Sequence, residues 1–377
     1  MHVGAVVIAA DKFKGSLTGR QVTAAIGETV AALGGEPRPV PVADGGDGTL
    51  DAVEELGFAP VDVVVPGPTG APVSTRYAVR DGIAVVELAD ACGLLRLPGR
   101  RLEPLASSTR GLGEVARAAL LDPAVEELVI GVGGSASTDG GAGMLVGLGA
   151  VLRNSRGETL SPMAGTLAEI TTIDLRPVEG LLAGRPVTLA SDVANPLLGP
   201  RGAVAVFGPQ KGLRGEDVVE VEAGLAHWAD VLAASCGRDL RDAPGAGSAG
   251  GVGFAALAAL GARMRSGLEI VLELGGFARA LGGASLVITG EGSLDEQSLM
   301  GKVVAGVCAA AGDVPTIAVC GRSTLTATQV EGLGLAAAYS LAQLEPDPAE
   351  SIRRADELLR ELTRRVLAQW PAMPERR

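Results

Sequence analysis

The chain has 377 residues, a net charge of −12 and only two histidines, and these totals exclude several kinds of chemistry. His2 lies near the N-terminus and His227 lies mid-chain, so a Ser-His-Asp hydrolase, a histidine-rich zinc site and a histidine phosphorelay lack the imidazoles that they need. The acidic balance and the scarcity of aromatic residues argue against a nucleic-acid partner, and any general base is expected to be a carboxylate.

Strand-like apolar runs alternate with helical patterns from one end of the chain to the other. Thr18 and Gln21 form a capping box that is predicted to open the first helix. Repetition of strand, helix and strand favours α/β layers around largely parallel sheets. The predicted strands are Val6–Ala10, Pro39–Val42, Val61–Val65, Leu128–Val132, Val187–Ala190, Ala203–Phe207, Leu286–Thr289 and Thr316–Val319. The predicted helices are Gln21–Leu33, Thr109–Leu121, Val218–Ser235, Leu299–Ala311 and Ala349–Gln369.

One segment departs from this alternation and predicts a β-hairpin. Val73–Val79 and Ile83–Leu88 flank Asp81-Gly82, a pair that readily supplies the positive φ angles of a tight turn. The Pro- and Gly-rich loop before it, residues 66–70, could carry the chain from one domain into another. With a second crossing around 275–283, we expect a discontinuous domain of residues 1–66 plus 284–377, and residues 67–283 inserted as a second domain.

The apolar residues are spread over short runs. No uninterrupted stretch approaches the ~18 residues of a membrane span, and the N-terminus lacks the basic and apolar segments of a secretory leader. The four cysteines lack CxxC spacing, so Cys308 and Cys320 are expected to be core residues. The sequence therefore predicts a soluble, cytoplasmic protein with no membrane partner.

Glycines cluster where predicted strands end, and Gly131–Gly141 is the most distinctive cluster. It contains three hydroxyl residues and Asp139, and it leads into an apolar helix. Backbone amides and hydroxyls suit phosphate oxygens, while Asp139 could face Mg²⁺ or cap the helix. The cluster is neither a Walker A motif nor a good dinucleotide fingerprint. A second cluster, Gly247–Gly253, is more typical of close helix packing when it is taken alone.

Carboxylates also recur after predicted strands. They are Asp11, Asp44, Asp192, Glu291 and Asp295. Each one alone is usually a turn former or a helix cap, but ligands of open α/β sheets bind at the carboxyl ends of strands. The repetition predicts that the acids converge on one cleft, where they could hold a divalent metal with phosphates and supply a base for a hydroxyl.

Lysine is rare, since only four of the 32 Lys and Arg residues are Lys. Lys14, Lys211 and Lys302 lie in glycine-containing loops beside predicted strands, and we expect at least one of them to contact an anion. Lys12 is interpreted as a solvated side chain. Lysine binds phosphate as a compact point charge, unlike the planar fork of Arg. The glycine loops, the hydroxyl residues, the strand-end acids and the rare lysines together favour phosphoryl transfer, but they do not identify the acceptor.

Seven segments carry a further signal through their order along the chain. They are Asp11–Leu17, Ala43–Thr49, Gly133–Gly141, Ser191–Leu197, Gly208–Gly212, Gly247–Gly253 and Ile288–Gln297. In this order they resemble the motifs of the bacterial type I glycerate kinases. The resemblance covers nearly the whole chain, and seven ordered segments are far more specific than any single glycine loop.

The resemblance implies an ATP- and Mg²⁺-dependent kinase that phosphorylates D-glycerate in the breakdown of glyoxylate, glycolate or sugar acids. The expected product is 2-phospho-D-glycerate, with 3-phospho-D-glycerate as the runner-up. The expected fold has two different α/β domains with the active site in the cleft between them. One is Rossmann-like, discontinuous and built on a mostly parallel sheet, and the other is an inserted domain with a mixed sheet. Ser293 departs from the family, which frequently has Arg at this position.

The hypothesis built on this resemblance assigns a role to each candidate residue. Asp192, Asp295 and Lys14 are the predicted catalytic residues, with Asp192 or Asp295 as the base and Asp192 also as the Mg²⁺ ligand. Nucleotide phosphate binding is predicted for Gly133, Gly134, Ser135, Ser137, Thr138, Asp139, Gly140 and Lys211. Substrate binding is predicted for Ser16, Asp44, Gly45, Gly46 and Lys302.

Two alternatives stay open at this point. A non-catalytic binding protein for a small anionic metabolite could use the same loops, although the strand-end acids exceed what holding an anion needs. A dinucleotide-dependent oxidoreductase is the weaker alternative, because no fingerprint with a downstream acid follows the first strand. The expected ligands are thus ATP, Mg²⁺ and D-glycerate, and a homo-oligomer stays open.

Overall fold

The computed structural model describes residues 4–296, 298–300 and 303–370, so the predicted substrate ligand Lys302 lies outside the described residues. Packing divides the chain into two compact units. The terminal unit combines the residues up to Asp44 with those from Leu268 onward, and the central unit is Gly45–Gly267. None of the described helices is both long enough and apolar enough to cross a membrane.

The described residues form fifteen strands and fifteen α-helices. The strands are β1 (Ala5–Ala10), β2 (Glu36–Pro39), β3 (Ala59–Pro66), β4 (Pro72–Arg80), β5 (Ile83–Glu87), β6 (Glu127–Gly131), β7 (Val151–Arg153), β8 (Thr172–Asp174), β9 (Val187–Ala190), β10 (Arg263–Arg265), β11 (Ala284–Gly290), β12 (Ser293–Leu294), β13 (Thr316–Cys320), β14 (Arg322–Ser323) and β15 (Ala337–Ser340). The helices are α1 (Gly19–Ala32), α2 (Thr49–Glu55), α3 (Leu88–Cys92), α4 (Arg110–Leu121), α5 (Ala142–Leu148), α6 (Arg176–Leu182), α7 (Ala203–Lys211), α8 (Glu216–Cys236), α9 (Val252–Ala259), α10 (Gly267–Leu274), α11 (Phe277–Ala280), α12 (Val303–Ala311), α13 (Ala327–Gly332), α14 (Pro348–Arg353) and α15 (Ala355–Gln369).

The terminal unit is built on a five-stranded sheet in the order β15-β13-β11-β1-β2, and its pairings are all parallel. Side chains alternate across it, as the two-residue period of a strand requires. Val6 and Ile8 pack with α1 and α15 on one face, while Val7 and Ala9 pack with α10 and α12 on the other. Helices therefore cover both faces, and the predicted parallel α/β unit is confirmed.

The edge strand β2 differs from its prediction. It covers Glu36–Pro39 rather than Pro39–Val42. Pro37 and Pro39 are tolerated because β2 is the last strand of the sheet and pairs only with β1. The helix after β1 begins as predicted, since the Thr18 hydroxyl accepts from the Gln21 amide at 3.3 Å and the Thr18 amide donates to the Gln21 side chain at 2.9 Å.

The central unit is built on a six-stranded mixed sheet in the order β10-β9-β6-β5-β4-β3. The predicted hairpin is confirmed: β4 pairs antiparallel with β5, and Asp81 and Gly82 turn with φ angles of 51° and 80°. The strands β5, β6, β9 and β10 are parallel, and their last residues Glu87, Gly131, Ala190 and Arg265 lie side by side. The carboxyl ends of four strands thus meet at one edge, which we call the carboxyl edge of the central sheet.

The predicted strand Ala203–Phe207 is wrong, because this segment is the first part of helix α7. A short continuous apolar run fits a buried strand and a buried helix equally well by periodicity. In the structure Val204, Gly208 and Lys211 are buried, which is the spacing of one helical face. The predicted helix Ala349–Gln369 also differs, since it is divided into α14 and α15 at Arg354.

The chain leaves and re-enters the terminal unit at places other than the expected crossings at 66/67 and 283/284. The division falls after Asp44 and after Gly267. Strand β3 pairs along its whole length with β4 of the central sheet, so residues 59–66 lie with the central unit. Helices α10 and α11 contribute Leu272 and Phe277 to the core beneath β1, so they lie with the terminal unit.

Candidate functional site

Two of the predicted glycine loops meet at the carboxyl edge of the central sheet. Gly45 has a φ of 83°, and a Cβ there would lie 2.7 Å from the Ala190 carbonyl oxygen. A Cβ on Gly133 would lie 2.3 Å from the Cα of Gly46, and the Gly133 amide donates to the Gly45 carbonyl at 3.3 Å. Only glycine permits this backbone-to-backbone approach. The structure therefore brings together residues predicted for substrate binding and for phosphate binding.

The second glycine cluster packs against the first. The Gly140 amide donates to the Gly250 carbonyl at 3.0 Å, and the Trp228 indole donates to the Gly140 carbonyl at 3.0 Å. Gly250 has a φ of 70°, and a Cβ there would lie 2.2 Å from the Ser137 carbonyl oxygen. The turn at Gly250 thus forms one wall around the loop of residues 131–141. Gly134, within the loop itself, has a φ of 71°.

Lys211 reaches into this loop from the end of α7. Its ammonium donates to the Ser135 hydroxyl at 2.7 Å and to the Ser137 carbonyl at 2.6 Å. The residue is only 2 % exposed. Burial lowers the pKa of Lys211 to about 7, although the negative charge of Asp139 opposes the shift. A bound anion would favour the charged form of this lysine.

Three hydroxyls of the same loops lack a hydrogen-bond partner among the described residues. They belong to Ser137, Thr138 and Ser248, and all three oxygens are buried. Buried polar groups are normally paired. Three hydroxyls that can donate, together with one buried ammonium, suit the oxygens of a phosphate group. We call these residues and Ser135 the Lys211 cradle. Ser248 was not among the predicted site residues, because its glycine cluster resembles ordinary helix packing.

Asp139 lies beside the cradle, and its carboxylate accepts hydrogen bonds from backbone amides. It accepts from the Thr109 amide at 2.7 Å and from the amides of Gly141 and Gly143 at 3.2 Å. The Thr109 hydroxyl also donates to it and accepts from the Met144 amide at 2.8 Å. Burial raises the pKa of Asp139, which these hydrogen bonds oppose. Of the two sequence interpretations, helix capping is the one that these contacts match, because Asp139 ties the starts of α4 and α5 together.

Glu87 is a further buried acid that the sequence interpretation missed. It ends β5 and is only 5 % exposed. Its Oε1 accepts from the Gly48 amide at 3.1 Å and its Oε2 accepts from the Leu50 amide at 2.8 Å. Burial raises the pKa of Glu87 to about 7, against the effect of these two hydrogen bonds. The rule for strand-end acids would have found Glu87, but the predicted strand ran on to Leu88 and hid it.

Asp192 also follows a strand of the carboxyl edge. It comes two residues after the end of β9, and its side chain is exposed. The preceding Ser191 is buried, and its amide donates to the Arg265 carbonyl at 3.0 Å. The described residues contain no group of three or more His, Cys, Asp or Glu that could hold a metal ion. A Mg²⁺ ion that arrives with phosphates needs only one or two carboxylates, so Asp192 is compatible with such an ion.

In the terminal unit, the loop after β1 is closed on itself. The amides of Phe13 and Leu17 each donate to the other residue's carbonyl, and the Ser16 hydroxyl donates to the Phe13 carbonyl at 3.1 Å. Lys14 is exposed at the tip of this turn. A Cβ on Gly292 would lie 3.0 Å from the Lys14 amide nitrogen, so the loops after β1 and β11 are in close contact.

The terminal unit holds four of the predicted strand-end acids, Asp11, Asp44, Glu291 and Asp295. Burial raises the pKa of Asp11, Lys12 opposes the shift, and the exposed Asp44 adds to it through its charge. Asp295 accepts from the Ser293 hydroxyl at 3.2 Å, and that hydroxyl accepts from Arg322 Nε at 3.1 Å. Arg322 thus brings a guanidinium to Ser293.

Comparison with known proteins places the chain in a family. The sequence model of the glycerate kinase family matches residues 6–371. The chain belongs to the glycerate kinase family. It is 38 % identical to a glycerate kinase of Bacillus subtilis over 96 % of this chain and 97 % of that protein. It is 36 % identical to a glycerate 2-kinase of Escherichia coli, over the same shares of the two chains.

A solved structure of a glycerate kinase 2 from Salmonella typhimurium LT2 has the same fold. It superposes with a TM-score of 0.85 at 37 % identity, and the match covers 98 % of each chain. The family that the seven segments predicted is therefore confirmed. Membership of the glycerate kinase family also confirms the prediction that the chain is an enzyme, a kinase.

Proposed function

We propose that this chain transfers a phosphoryl group from ATP to D-glycerate, in the presence of Mg²⁺, and forms 2-phospho-D-glycerate. The observation that supports the proposal most strongly is the Lys211 cradle. In this member of the glycerate kinase family, a buried ammonium contacts the loop that carries Ser137 and Thr138, whose hydroxyls have no hydrogen-bond partner among the described residues. Phosphoryl transfer depends mainly on positioning and charge neutralisation, and this cradle supplies both.

The cradle would hold nucleotide phosphates through Lys211, Ser137 and Thr138, next to the backbone of Gly133, Gly134 and Gly140. Lys211 ends α7, and the other five residues lie on the turn between β6 and α5, beside the carboxyl edge. Ser135 already accepts from Lys211, so its role is to orient the ammonium. Asp139 keeps the two helix starts in place and thereby fixes the backbone of the turn.

Asp192 is the proposed ligand of the metal. Mg²⁺, when bound, neutralises charge on the phosphates and orients them. Asp192 and Asp295 are the two candidates for the base that accepts the proton of the attacking hydroxyl. Asp295 is oriented for such a role by the Ser293 hydroxyl. Lys14 is exposed and brings positive charge near the loops of the terminal unit.

D-Glycerate carries a carboxylate and two hydroxyls, so its site needs amides or hydroxyls and a cation. Ser16, Gly45 and Gly46 are the proposed contributors of hydroxyl and amide groups, with Asp44 accepting from a substrate hydroxyl. Lys302 is the proposed cation of this set. We propose that the reaction takes place in the cytoplasm, where phosphoglycerate enters central carbon metabolism.

A coupled assay tests the product. The 2-phosphate is a direct substrate of enolase, whereas the 3-phosphate requires added phosphoglycerate mutase. We expect a signal with enolase alone after incubation with ATP, Mg²⁺ and D-glycerate, in line with the names of the relatives from Escherichia coli and Salmonella. A signal only with mutase would assign the 3-phosphate. No release of ADP would refute the kinase reaction and favour binding of a small anion without catalysis.

A further inference from the structure

Glu87 holds the glycine loop that leads into α2. Both carboxylate oxygens accept from this segment, Oε1 from Gly48 and Oε2 from Leu50. A buried carboxylate is unfavourable unless hydrogen bonds compensate for the lost water. Because both oxygens are used on one segment, the side chain fixes both the distance of the loop from β5 and its orientation.

The loop Gly45–Gly48 depends on this contact for its shape. Gly48 is the N-cap of α2, has a φ of 96° and offers no side chain to the free amides of the helix start. Glu87 supplies the acceptors that an Asp or Ser at the N-cap would normally supply. The Thr49 hydroxyl closes the other side of the turn by donating to the Gly46 carbonyl at 2.8 Å. Removing Glu87 would leave two amides of the turn without acceptors.

We infer that Glu87 is a positioning residue for the glycerate site, because it holds the loop Gly45–Gly48 in the place from which Gly45 and Gly46 would bind the substrate. This inference rests on the proposed function, because the loop binds glycerate only under that proposal. Both carboxylate oxygens of Glu87 are used on the loop, so its proposed role is to hold the loop. Its effect should therefore fall on the KM for glycerate more than on kcat or on the KM for ATP.

The charges around Glu87 make its hydrogen bonds to the loop sensitive to pH. Asp47 on the loop and Asp90 on α3 are the acids that face it, and both add to the rise of its pKa, which burial brings to about 7. Asp90 is itself paired with Arg76, at 3.3 Å, and with Arg96. The ionised carboxylate accepts from both amides, whereas protonation weakens one of the two bonds. The loop should thus be held more weakly as pH falls below about 7.

The test compares Glu87→Gln with Glu127→Gln. Glu127 is a matched strand glutamate at the opposite edge of the same sheet, where it accepts from the Thr188 hydroxyl at 2.9 Å. For E87Q we expect the KM for glycerate to rise about tenfold. The reason is that the side-chain NH₂ of Gln, a donor, would then face one of the two backbone N–H groups that Glu87 now accepts from. We expect the KM for ATP to change by less than about twofold, and E127Q to match the wild type in both constants.

The pH dependence of the KM for glycerate shows whether titration of Glu87 affects the loop or whether the side chain has only a structural role. Wild-type KM for glycerate should rise as pH falls from about 7 to about 6, and E87Q should lose this dependence because its amide does not titrate. Hydrogen exchange should be faster at Gly48 and Leu50 in E87Q. If E87Q fails to fold, Glu87→Asp keeps the charge but shortens the reach, and it should raise the KM for glycerate while retaining the pH dependence.

Two results would overturn the inference: E87Q or E87D with the glycerate KM of the wild type, or unchanged exchange at Gly48 and Leu50 in E87Q. Failure of the proposed function is distinguishable from these. It would appear as wild-type protein that releases no ADP with D-glycerate, whereas the exchange measurement on E87Q needs no turnover.

Discussion

The ammonium of Lys211 donates to the hydroxyl of Ser135 at 2.7 Å, and this contact joins the end of α7 to the glycine loop after β6. Asp139 is the acid whose charge favours the protonated lysine, yet its carboxylate already accepts hydrogen bonds from the capped helix starts. The cradle is therefore short of negative charge. An incoming phosphate group would correct that deficit.

Replacing Lys211 by Met should weaken nucleotide binding. Met keeps an apolar stem of similar length but lacks the ammonium that would face the phosphates. We expect kcat/KM for ATP to fall about 100-fold, the effect of losing one hydrogen bond to a charged group. Steady-state kinetics with saturating D-glycerate measures it.

Lys12→Met is the matched control, because Lys12 is more exposed and pairs with Asp11 at 3.7 Å outside the cradle. We expect it to retain the ATP constants of the wild type. Equal kinetics for K211M and K12M would remove Lys211 from nucleotide binding and leave it as a structural contact of the loop.

The same lysine should make folding stability depend on pH. Its pKa is about 7 in the folded chain against an ordinary value of 10.5, so between these values the unfolded chain binds more protons. The free energy of unfolding should therefore rise with pH above about 7, by at most about 1.4 kcal/mol per pH unit. Urea unfolding of wild type and K211M at pH 7 and about pH 9 measures this contribution. The same pH slope in both proteins would show that Lys211 does not titrate in this range.

Local patterns in the sequence were sufficient for much of the fold. The hairpin at Asp81-Gly82 and the capping box at Thr18 depend on residues only a few positions apart, and both are present. Many of the parallel strands could also be predicted, because a short apolar run is likewise a local pattern. Ala203–Phe207 was misread because its helical face becomes visible only when Gly208 and Lys211 are counted with it.

The site depends on longer connections, which such patterns do not contain. Lys211 and Ser135 are 76 positions apart, and Thr109 meets Asp139 from 30 positions away. Helix capping by Asp139 could therefore be stated only as one of two interpretations. The Ser248 hydroxyl has no hydrogen-bond partner within the described part of the chain, and only the fold brings its glycine cluster against the first one. Spacing identified the loops that hold these residues, while the fold determined which of them face each other.

Replacing Gly250 by Ala should cost more stability than the strain of a positive φ alone, because the new Cβ would also displace the cradle. A Cβ at this position would lie 2.2 Å from the Ser137 carbonyl and 2.9 Å from Lys211 Nζ. Gly261→Ala is the control, because Gly261 has a similar φ of 63° but a Cβ there would meet no atom of the described residues within 4 Å. We expect G261A to lose about 1 kcal/mol of stability and G250A about 3 kcal/mol, together with most of its activity. Equal losses of stability, with activity retained, would mean that the loop adjusts freely around Gly250.

Asp139→Asn should lower stability, because the carboxylate caps two helices. In Asn, an NH₂ group would replace one carboxylate oxygen and would face backbone N–H donors in a fully buried position. We expect this to lower the free energy of unfolding by about 3 kcal/mol. Asp122→Asn is the control, since Asp122 accepts one exposed amide, that of Ala124, at 2.8 Å. Chemical denaturation measures the difference. A D139N protein as stable as D122N, but without nucleotide binding, would support the ligand role for Asp139 over the capping role.

Asp192→Asn should show the opposite pattern, with turnover lost and stability kept. The side chain is exposed at the carboxyl edge, so its substitution removes no core packing. If Asp192 holds the metal or accepts the substrate proton, kcat should fall by about 10²–10⁴. Asp62→Asn, an exposed acid on the edge strand β3, should leave kcat unchanged. Asp295→Asn measured in parallel separates the two candidates for the base: near-normal turnover in D192N with a large loss in D295N would assign the proton transfer to Asp295 and remove Asp192 from the chemistry.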